Sequence, residues 1–300
     1  MDMMFHDLTI TDEDFQRLVR FIHENYGIDL SKKRQLITSR LSQSLKTRGY
    51  TDFKSFLEHL FTARDPQDLE LVLNKLTTNY TYFLREKDHF SFFQQTVLPE
   101  LAQRHQKDKV LAIWSAGCSS GEEPYTLSMC LKEYFGAQAS QWDTRVLATD
   151  ISQQAMAKAK AAVYQPPADM PADWLRRYFV QDRPGTQYTV APAIRSNVIF
   201  RTFNLMDPIR FRLKFDVIFC RNVMIYFDQA TRDALVRRFY NSPMPISLSA
   251  IPNLLGKRRC SAWWLRPYTA GHEPCGARFS GRSVFTHASQ PAQNPGPGGG

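Results

Sequence analysis

The stretch that decides the fold is VLAIWSAGCSSGEEPYTL, residues 110–127, where an apolar run leads into a glycine turn and then a helical pattern. Gly117 and Gly121 let the backbone turn tightly and approach a ligand, because they carry no Cβ atom. The N-terminus of the following helix presents unpaired N–H groups to polar ligand atoms. The stretch is consistent with a ligand-binding turn or with an ordinary strand-to-helix loop.

The spacing of this turn bears on the kind of ligand. Dinucleotide-binding folds usually show G-x-G-x-x-G, whereas here the glycines are spaced G-x-x-x-G. Glu122 and Glu123 follow at once and would repel a pyrophosphate. Two carboxylates suit a cationic ligand such as S-adenosylmethionine, which carries an ammonium and a sulfonium. A nicotinamide-dependent oxidoreductase remains a weaker alternative.

Further short apolar runs at 145–150, 198–203 and 215–220 alternate with helical patterns. This alternation predicts an α/β fold with a parallel sheet and helices on its faces. Residues 1–85 read instead as short amphipathic helices, which indicates a small all-helical N-terminal domain. We place the sheet domain at 86–241, with a small insert at about 164–197.

The segment 242–300 differs in composition. It holds eight of the 14 glycines and eight of the 17 prolines, and its six basic residues face one acidic residue. Over half of the net charge of +9 therefore lies here, so nucleic acid is not the expected partner. We expect a poorly ordered tail.

Other features limit the class of protein. No run of 18 apolar residues exists, so no membrane insertion is expected. The N-terminus does not resemble a secretory signal, which predicts a cytoplasmic protein. The five cysteines lack metal-ligand or redox spacing, so we expect no metal site and no disulfide. We expect a monomer.

Three more segments offer polar side chains near the ends of predicted strands. Asp150 can accept hydrogen bonds from ribose hydroxyls, or it can simply cap the next helix. Arg221 and Asn222 directly follow a strand of the buried type, and they are either ligand contacts or ordinary loop residues. Tyr226 comes soon after them and lies either beside the ligand or in the core. The segment 77–86 supplies Asn79, Thr81 and Arg85, although in isolation it reads as a surface linker. His89 and His105 are given no role.

Taken together and in this order, NYTYFLRE, WSAGCSSGEEPYTL, VLATDIS, FNL and FDVIFCRNVMIYFD resemble the CheR-type methyltransferases that esterify glutamates of chemotaxis receptors. The resemblance spans roughly residues 10–241. It implies a Rossmann-like, S-adenosylmethionine-dependent methyltransferase sheet behind a helical N-terminal domain, with a small antiparallel insert.

The resemblance also implies roles for individual residues. The positions that match the family's cofactor contacts are Asn79, Thr81, Arg85, Glu122, Asp150, Asn204, Leu205, Asn222 and Val223, beside the turn glycine Gly117. Arg85 and Tyr226 are expected nearest the transferred methyl group. The implied partners are the cytoplasmic helices of chemotaxis receptors, docked on basic residues of the second helix, Lys33, Arg34, Arg40 and Arg48, unless that face is merely solvated.

The chain leaves the family pattern at about residue 242, where the final strands of the sheet are apparently missing. The run FDVIFC should then form an exposed sheet edge, which favours instability or aggregation. Two hypotheses follow: an active methyltransferase that releases S-adenosylhomocysteine, or a receptor-binding module that has lost catalysis.

Overall fold

The computed structural model of the protein describes residues 8–77, 79–165, 167, 169–183, 187–211, 215–241, 246–250 and 263–267. Its α-helices are α1 Asp12–Tyr26, α2 Arg34–Thr47, α3 Phe53–Ala63, α4 Pro66–Leu76, α5 Lys87–Phe92, α6 Leu98–Arg104, α7 Glu122–Phe135, α8 Gln153–Ala161, α9 Ala172–Tyr178, α10 Pro192–Arg195 and α11 Gln229–Asn241. Its strands are β1 Ile113–Ala116, β2 Val146–Asp150, β3 Val163–Tyr164, β4 Phe179–Arg183, β5 Gln187–Val190, β6 Val198–Thr202, β7 Val217–Phe219, β8 Ile246–Ala250 and β9 Trp263–Pro267.

The N-terminal part is helical because its sequence carries both caps and amphipathic spacing. The Thr11 side chain accepts a hydrogen bond from the Asp14 N–H at the start of α1 (3.1 Å). Asp65 accepts from the Gln67 N–H at the start of α4 (2.7 Å), and Pro66 takes the first position of that helix. The apolar stripes of α1–α4 face one another, which buries a continuous core.

Four parallel strands form the central sheet in the order β6-β2-β1-β7. The chain moves from β1 to β2 and β6 on one side, then returns to place β7 on the other side of β1. Strand order therefore reverses between β1 and β7, where open α/β sheets bind ligands beyond the carboxyl ends of their strands. The α/β fold with a preceding helical domain is confirmed.

The helical domain shares its core with one face of this sheet. Apolar side chains of α1–α4 belong to the same buried cluster as Trp114 of β1 and Ile218 of β7. The rings of Phe203, Phe211, Phe215 and Phe239 surround Trp114, with centroids between 5.1 and 5.9 Å away. Because this apolar surface is continuous, the helices cover the sheet rather than form a separate module.

A small antiparallel sheet interrupts the α/β alternation after α8. Its strands lie in the order β3-β5-β4, and α9 precedes β4. Tyr164 of β3 donates a hydrogen bond to the Ser120 carbonyl in the glycine turn (2.7 Å). The insert therefore supports the turn from behind.

The expected poorly ordered tail, 242–300, lies mostly outside the described residues. The exceptions are β8 and β9, which pair antiparallel. Among the described strands, β7 forms a ladder with β1 alone, as expected of a sheet edge. The Cα atoms of β9 come within 8 Å of those of β7, although no described ladder joins them.

Within the described residues, no helix has both the length and the apolar character to cross a membrane.

The packing of the helical domain on the sheet can be tested at Gly27. This residue ends α1 with φ of +70°, and a Cβ atom there would lie 2.6 Å from Met206 Sδ. We expect Gly27→Ala to lower the free energy of unfolding by about 2–3 kcal/mol, because backbone strain and a steric clash add. Urea denaturation measures this loss.

Gly49→Ala is the matched control. Gly49 also has positive φ (+84°), but no atom lies within 4 Å of its added Cβ. The Gly49→Ala variant should lose only about 1 kcal/mol of its free energy of unfolding, because backbone strain acts alone there. Equal losses in the two variants would contradict close packing of the helical domain at Gly27.

Candidate functional site

A cavity of about 240 Å³ opens at the carboxyl ends of β1, β2 and β7, at the reversal of strand order. Most residues singled out from the sequence line it: Asn79, Thr81, Arg85, Gly117, Asp150, Asn204, Leu205, Asn222, Val223 and Tyr226. They come from five separated chain segments. The sheet topology, rather than proximity in sequence, brings them together.

The glycine turn forms the floor of this cavity. Gly117 has φ of +83°, and an added Cβ atom would overlap the Val223 side chain. The N–H groups of Gly117 and Cys118 both donate to the Thr149 carbonyl at the end of β2 (2.8 and 2.9 Å). A glycine is therefore required here, both for its conformation and for close approach to Val223.

Asp150 presents a carboxylate that is only partly satisfied by the protein. Oδ2 accepts from the Ser119 N–H (2.7 Å), and Oδ1 accepts from the Ser152 N–H (2.9 Å). Each carboxylate oxygen has a second lone pair, so Asp150 can accept two further hydrogen bonds from the cavity. Burial raises the pKa of this carboxyl group. The helix-cap alternative fails, since the Ser152 side chain caps α8 by accepting from the Ala155 N–H (3.0 Å).

The adjacent acids Glu122 and Glu123 differ in whether they line the cavity. Glu123 lines the cavity, whereas the sequence-based prediction had assigned the contact to Glu122. Glu122 does not line the cavity: it is buried and accepts from the Ser120 hydroxyl (2.7 Å), and burial raises its pKa. Successive residues of an α-helix point about 100° apart, so only one of the pair faces the ligand side.

Arg221 lines the cavity and is the buried centre of a polar cluster. Its side chain is 3% exposed. Nη1 donates to Glu123 Oε2 (3.0 Å), Nε donates to His89 Nδ1 (3.1 Å), and Nη2 contacts Glu86 (3.3 Å) and the Arg85 carbonyl. The guanidinium carbon also lies 5.0 Å from the centroid of the Phe90 ring.

This cluster corrects two sequence-based interpretations. Arg221 is not a solvated loop charge, and His89, given no role, is one of its partners. Arg221 also lines the cavity, so its role as a ligand contact stays a prediction. Glu123 is further held by the Ser115 hydroxyl, which donates to Oε1 (2.7 Å). The signal available in the sequence was an arginine directly after an apolar strand, a position that requires buried acceptors.

Glu86 links this cluster to the neighbouring loop. Its carboxylate also accepts from the Asn222 amide (3.1 Å). The pKa of Glu86 is lowered to about 2 by His89, whose Nδ1 lies 3.2 Å from Oε2, and by the Arg221 guanidinium and the Asn222 amide. Asn222 has φ of +57°, a left-handed conformation that asparagine tolerates better than most residues. The ion pairs thus fix both loops that flank the cavity.

Arg85 lies on the linker between the helical domain and α5. Its Nη1 donates to the Tyr80 carbonyl (2.5 Å), and its guanidinium carbon is 5.6 Å from the Tyr80 ring centroid. A guanidinium has five donors, so this contact still permits bidentate binding of a carboxylate.

The helical domain positions Tyr226, which also lines the cavity. The Asp29 N–H donates to the Tyr226 carbonyl (2.8 Å), and Ile28 forms an antiparallel bridge with Phe227. Lys33 Nζ lies 5.3 Å from the Tyr226 ring centroid. Asn204 binds the same domain, because its amide donates to the Asn25 carbonyl (2.8 Å).

The other basic residues expected to dock a partner are engaged within the helical domain. Arg34 pairs with Asp12 and donates to the Ile10 carbonyl, Arg48 pairs with buried Asp68, and Arg40 donates to the Lys75 carbonyl (3.1 Å). A docking role for them stays a prediction. Across the described residues, no group of three or more His, Cys, Asp or Glu side chains is placed to hold a metal ion.

The Arg221 cluster generates a stability prediction. We expect Arg221→Met to lower the free energy of unfolding by about 3–5 kcal/mol, because it leaves the buried Glu123 carboxylate without its cation. The double variant with Glu123→Gln should recover part of that loss. Arg177→Met breaks a half-exposed ion pair with Glu133, and it should lower the free energy of unfolding much less. Equal denaturation midpoints for Arg221→Met and the wild type would contradict the prediction.

Comparison with known proteins agrees with this geometry. The CheR methyltransferase all-alpha domain model matches residues 13–77, and the CheR methyltransferase SAM binding domain model matches residues 79–248. A chemotaxis protein methyltransferase of Borreliella burgdorferi is 39% identical over 240 residues, which cover 78% of this chain and 84% of the relative.

Two further relatives have similar coverage. Chemotaxis protein methyltransferase 1 of Pseudomonas aeruginosa is 37% identical, over 77% of this chain and 85% of its own length. The chemotaxis protein methyltransferase of Escherichia coli is 34% identical, over 79% of this chain and 82% of its own length. The first model matches the helical domain and the second matches the sheet domain with the cavity, so the chain belongs to the CheR methyltransferase family and its cofactor is S-adenosylmethionine.

Proposed function

We propose that this protein methylates glutamate side chains on the cytoplasmic helices of chemotaxis receptors, giving glutamate methyl esters. The observation that carries the proposal is the shared cavity, which the partly satisfied Asp150 carboxylate and the Gly117 turn line together with Arg85 and Tyr226. The names of the relatives, which are chemotaxis protein methyltransferases, support the same reaction.

The residues of the cavity fit the cofactor. Asp150 has lone pairs for both ribose hydroxyls, and Gly117 leaves room for a ligand beside the backbone. Glu123, rather than Glu122, supplies the acid in the wall, and its charge is balanced by Arg221. The remaining lining positions proposed to contact the cofactor are Asn79, Thr81, Asn204, Leu205, Asn222 and Val223.

The chemistry requires orientation more than acid–base catalysis. Bound S-adenosylmethionine supplies an electrophilic methyl group on a sulfonium. A glutamate side chain is already ionised at neutral pH, so no general base is needed. Arg85 can hold that carboxylate, and Tyr226 lines the same cavity. Such alignment supplies roughly 7–11 kcal/mol of the barrier reduction, and exclusion of water assists it.

The helical domain takes part in forming the cofactor site. The Ser152 hydroxyl lies 2.6 Å from Asn74 Oδ1, and the Gln154 N–H donates to Glu70 Oε1 (2.8 Å). Asn74 and Glu70 belong to α4, whereas Ser152 donates its own N–H to Asp150. Helix α4 therefore holds the loop that orients the Asp150 carboxylate.

This contact predicts an effect on cofactor affinity. Asn74→Ala should weaken binding of S-adenosylhomocysteine by roughly 5- to 30-fold, the loss of one or two hydrogen bonds. Isothermal calorimetry measures the Kd. Lys75→Ala, an exposed neighbour on the same helix, should bind normally. Unchanged affinity in Asn74→Ala would show that α4 does not orient Asp150.

The reaction itself is tested by transfer of a labelled methyl group to receptor-bearing membranes. We expect base-labile label on receptor glutamates, and a loss of about 100-fold in kcat for Arg85→Lys, which misplaces the carboxylate. Arg145→Lys, a surface arginine paired with Asp143, should retain activity.

The alternatives give different results in the same assays. Receptor binding without S-adenosylhomocysteine binding would indicate a module that has lost catalysis. Preference for a nicotinamide in calorimetry would indicate an oxidoreductase. Cofactor binding with no methyl transfer to any receptor would overturn the proposed substrate.

A further inference from the structure

The small antiparallel insert reaches the glycine turn through one buried tyrosine. The hydroxyl of Tyr164, on β3, donates to the Ser120 carbonyl (2.7 Å). A Cβ atom added at Gly121, the next residue, would lie 3.1 Å from the same hydroxyl. Burial raises the pKa of Tyr164, so the hydroxyl keeps its proton and remains a donor. Tyr164 therefore holds the second half of the turn.

The first half of the turn is held by the central sheet instead. The Cys118 N–H donates to the Thr149 carbonyl at the end of β2 (2.9 Å), and the Ser119 N–H donates to the Asp150 carboxylate (2.7 Å). Ser120 follows directly, so a shift of its peptide changes the backbone beside the N–H that orients Asp150. The geometry of the turn thus depends on β2 and on the insert together.

The ring of Tyr164 packs on the linker that carries Arg85. Phe83 of this linker is buried, and its ring centroid lies 4.9 Å from that of Tyr164 in an edge-to-face arrangement. The Phe83 ring also lies 5.2 Å from that of Phe179, on β4 of the same insert. Phe83 is two residues before Arg85. One tyrosine therefore contacts the turn with its hydroxyl and the linker with its ring.

The insert, rather than the central sheet, sets the position of Tyr164. Strand β3 pairs antiparallel with β5, which places Tyr164 opposite Tyr188, and the Val190 N–H donates to the Ala162 carbonyl (2.9 Å). Among the described strands, β3 pairs with β5 alone. A displacement of the insert would therefore move the Tyr164 side chain relative to the turn and the linker.

We infer that Tyr164 is a positioning residue for methyl transfer, which orients the cofactor turn through its hydroxyl and the Arg85 linker through its ring. This inference rests on the proposed function, which places the cofactor at the turn and the acceptor at Arg85. Tyr164 does not line the cavity, so its effect passes through Ser120 and Phe83.

The two contacts should have separable effects. Without the hydroxyl, a smaller fraction of molecules holds the turn in the binding geometry, and the apparent affinity for the cofactor falls by that fraction. Without the ring, the linker is less well packed, and Arg85 is displaced from the position that aligns the acceptor. The hydroxyl should thus act on cofactor affinity and the ring on kcat.

The test uses two variants of the full-length protein. Tyr164→Phe keeps the ring, and it should raise the Kd for S-adenosylhomocysteine roughly 3- to 10-fold in calorimetry, the equivalent of one lost hydrogen bond. Its kcat with receptor-bearing membranes should stay within about twofold of wild type. Tyr164→Leu should show a similar rise in Kd and also lower kcat roughly tenfold.

Tyr178 provides the matched control within the same insert. It is also buried, its hydroxyl donates to Glu133, and its ring centroid lies 5.7 Å from that of Trp174. Tyr178→Phe and Tyr178→Leu remove the same groups from a side chain that contacts neither the turn nor the linker. Their Kd and kcat should stay within about twofold of wild type, and urea denaturation identifies the conditions in which all four variants are folded.

The outcomes separate this inference from the proposed function. A normal Kd in Tyr164→Phe would overturn the role of the hydroxyl, and a normal kcat in Tyr164→Leu would overturn that of the ring. Equal changes in the Tyr164 and Tyr178 variants would show a purely structural contribution and overturn both. If wild type transfers no methyl group to receptors, the proposed substrate and the role of the ring fail, whereas the Kd alone decides the role of the hydroxyl.

Discussion

The arrangement of the cavity depends on the buried cation of Arg221. A guanidinium that is removed from water must have its donors satisfied by the protein, or the fold loses several kcal/mol. Arg221 meets this requirement with Glu123 from α7, His89 from α5, and the carbonyl of Arg85 together with Glu86 from the linker. One side chain at the end of β7 thereby fixes three segments that surround the ligand.

This constraint explains why the functional linker is ordered. In its described residues, 77 and 79–86, the segment that carries Arg85 lies outside any helix or strand, and Leu84 and Glu86 both have positive φ. Such a backbone is unfavourable unless the surroundings hold it. The pairs of Glu86 with Arg221 and Asn222 do so, and they leave Arg85 beside the cavity.

The helical domain and the sheet form the site jointly. Residues near α1 position Tyr226 and Asn204, and α4 holds the loop that carries Asp150. The shared apolar layer around Trp114 packs the helical domain against the sheet. The helical domain and the cofactor-binding sheet domain are thus not separable modules. This bears on the hypothesis of a receptor-binding module that has lost catalysis.

The sequence by itself determined the α/β fold and the helical N-terminal domain, and the family resemblance of its motifs indicated most of the residues that line the cavity. Periodicity and turn glycines are local signals, and the parallel topology brings strand ends together at one edge. Only the tertiary structure decided that Glu123, rather than Glu122, faces the cavity, that Arg221 is buried, and that Arg34 and Arg48 pair within their own domain. The direction in which a side chain points and the partner of a charged group depend on residues that are distant in sequence. A local sequence pattern therefore does not predict them.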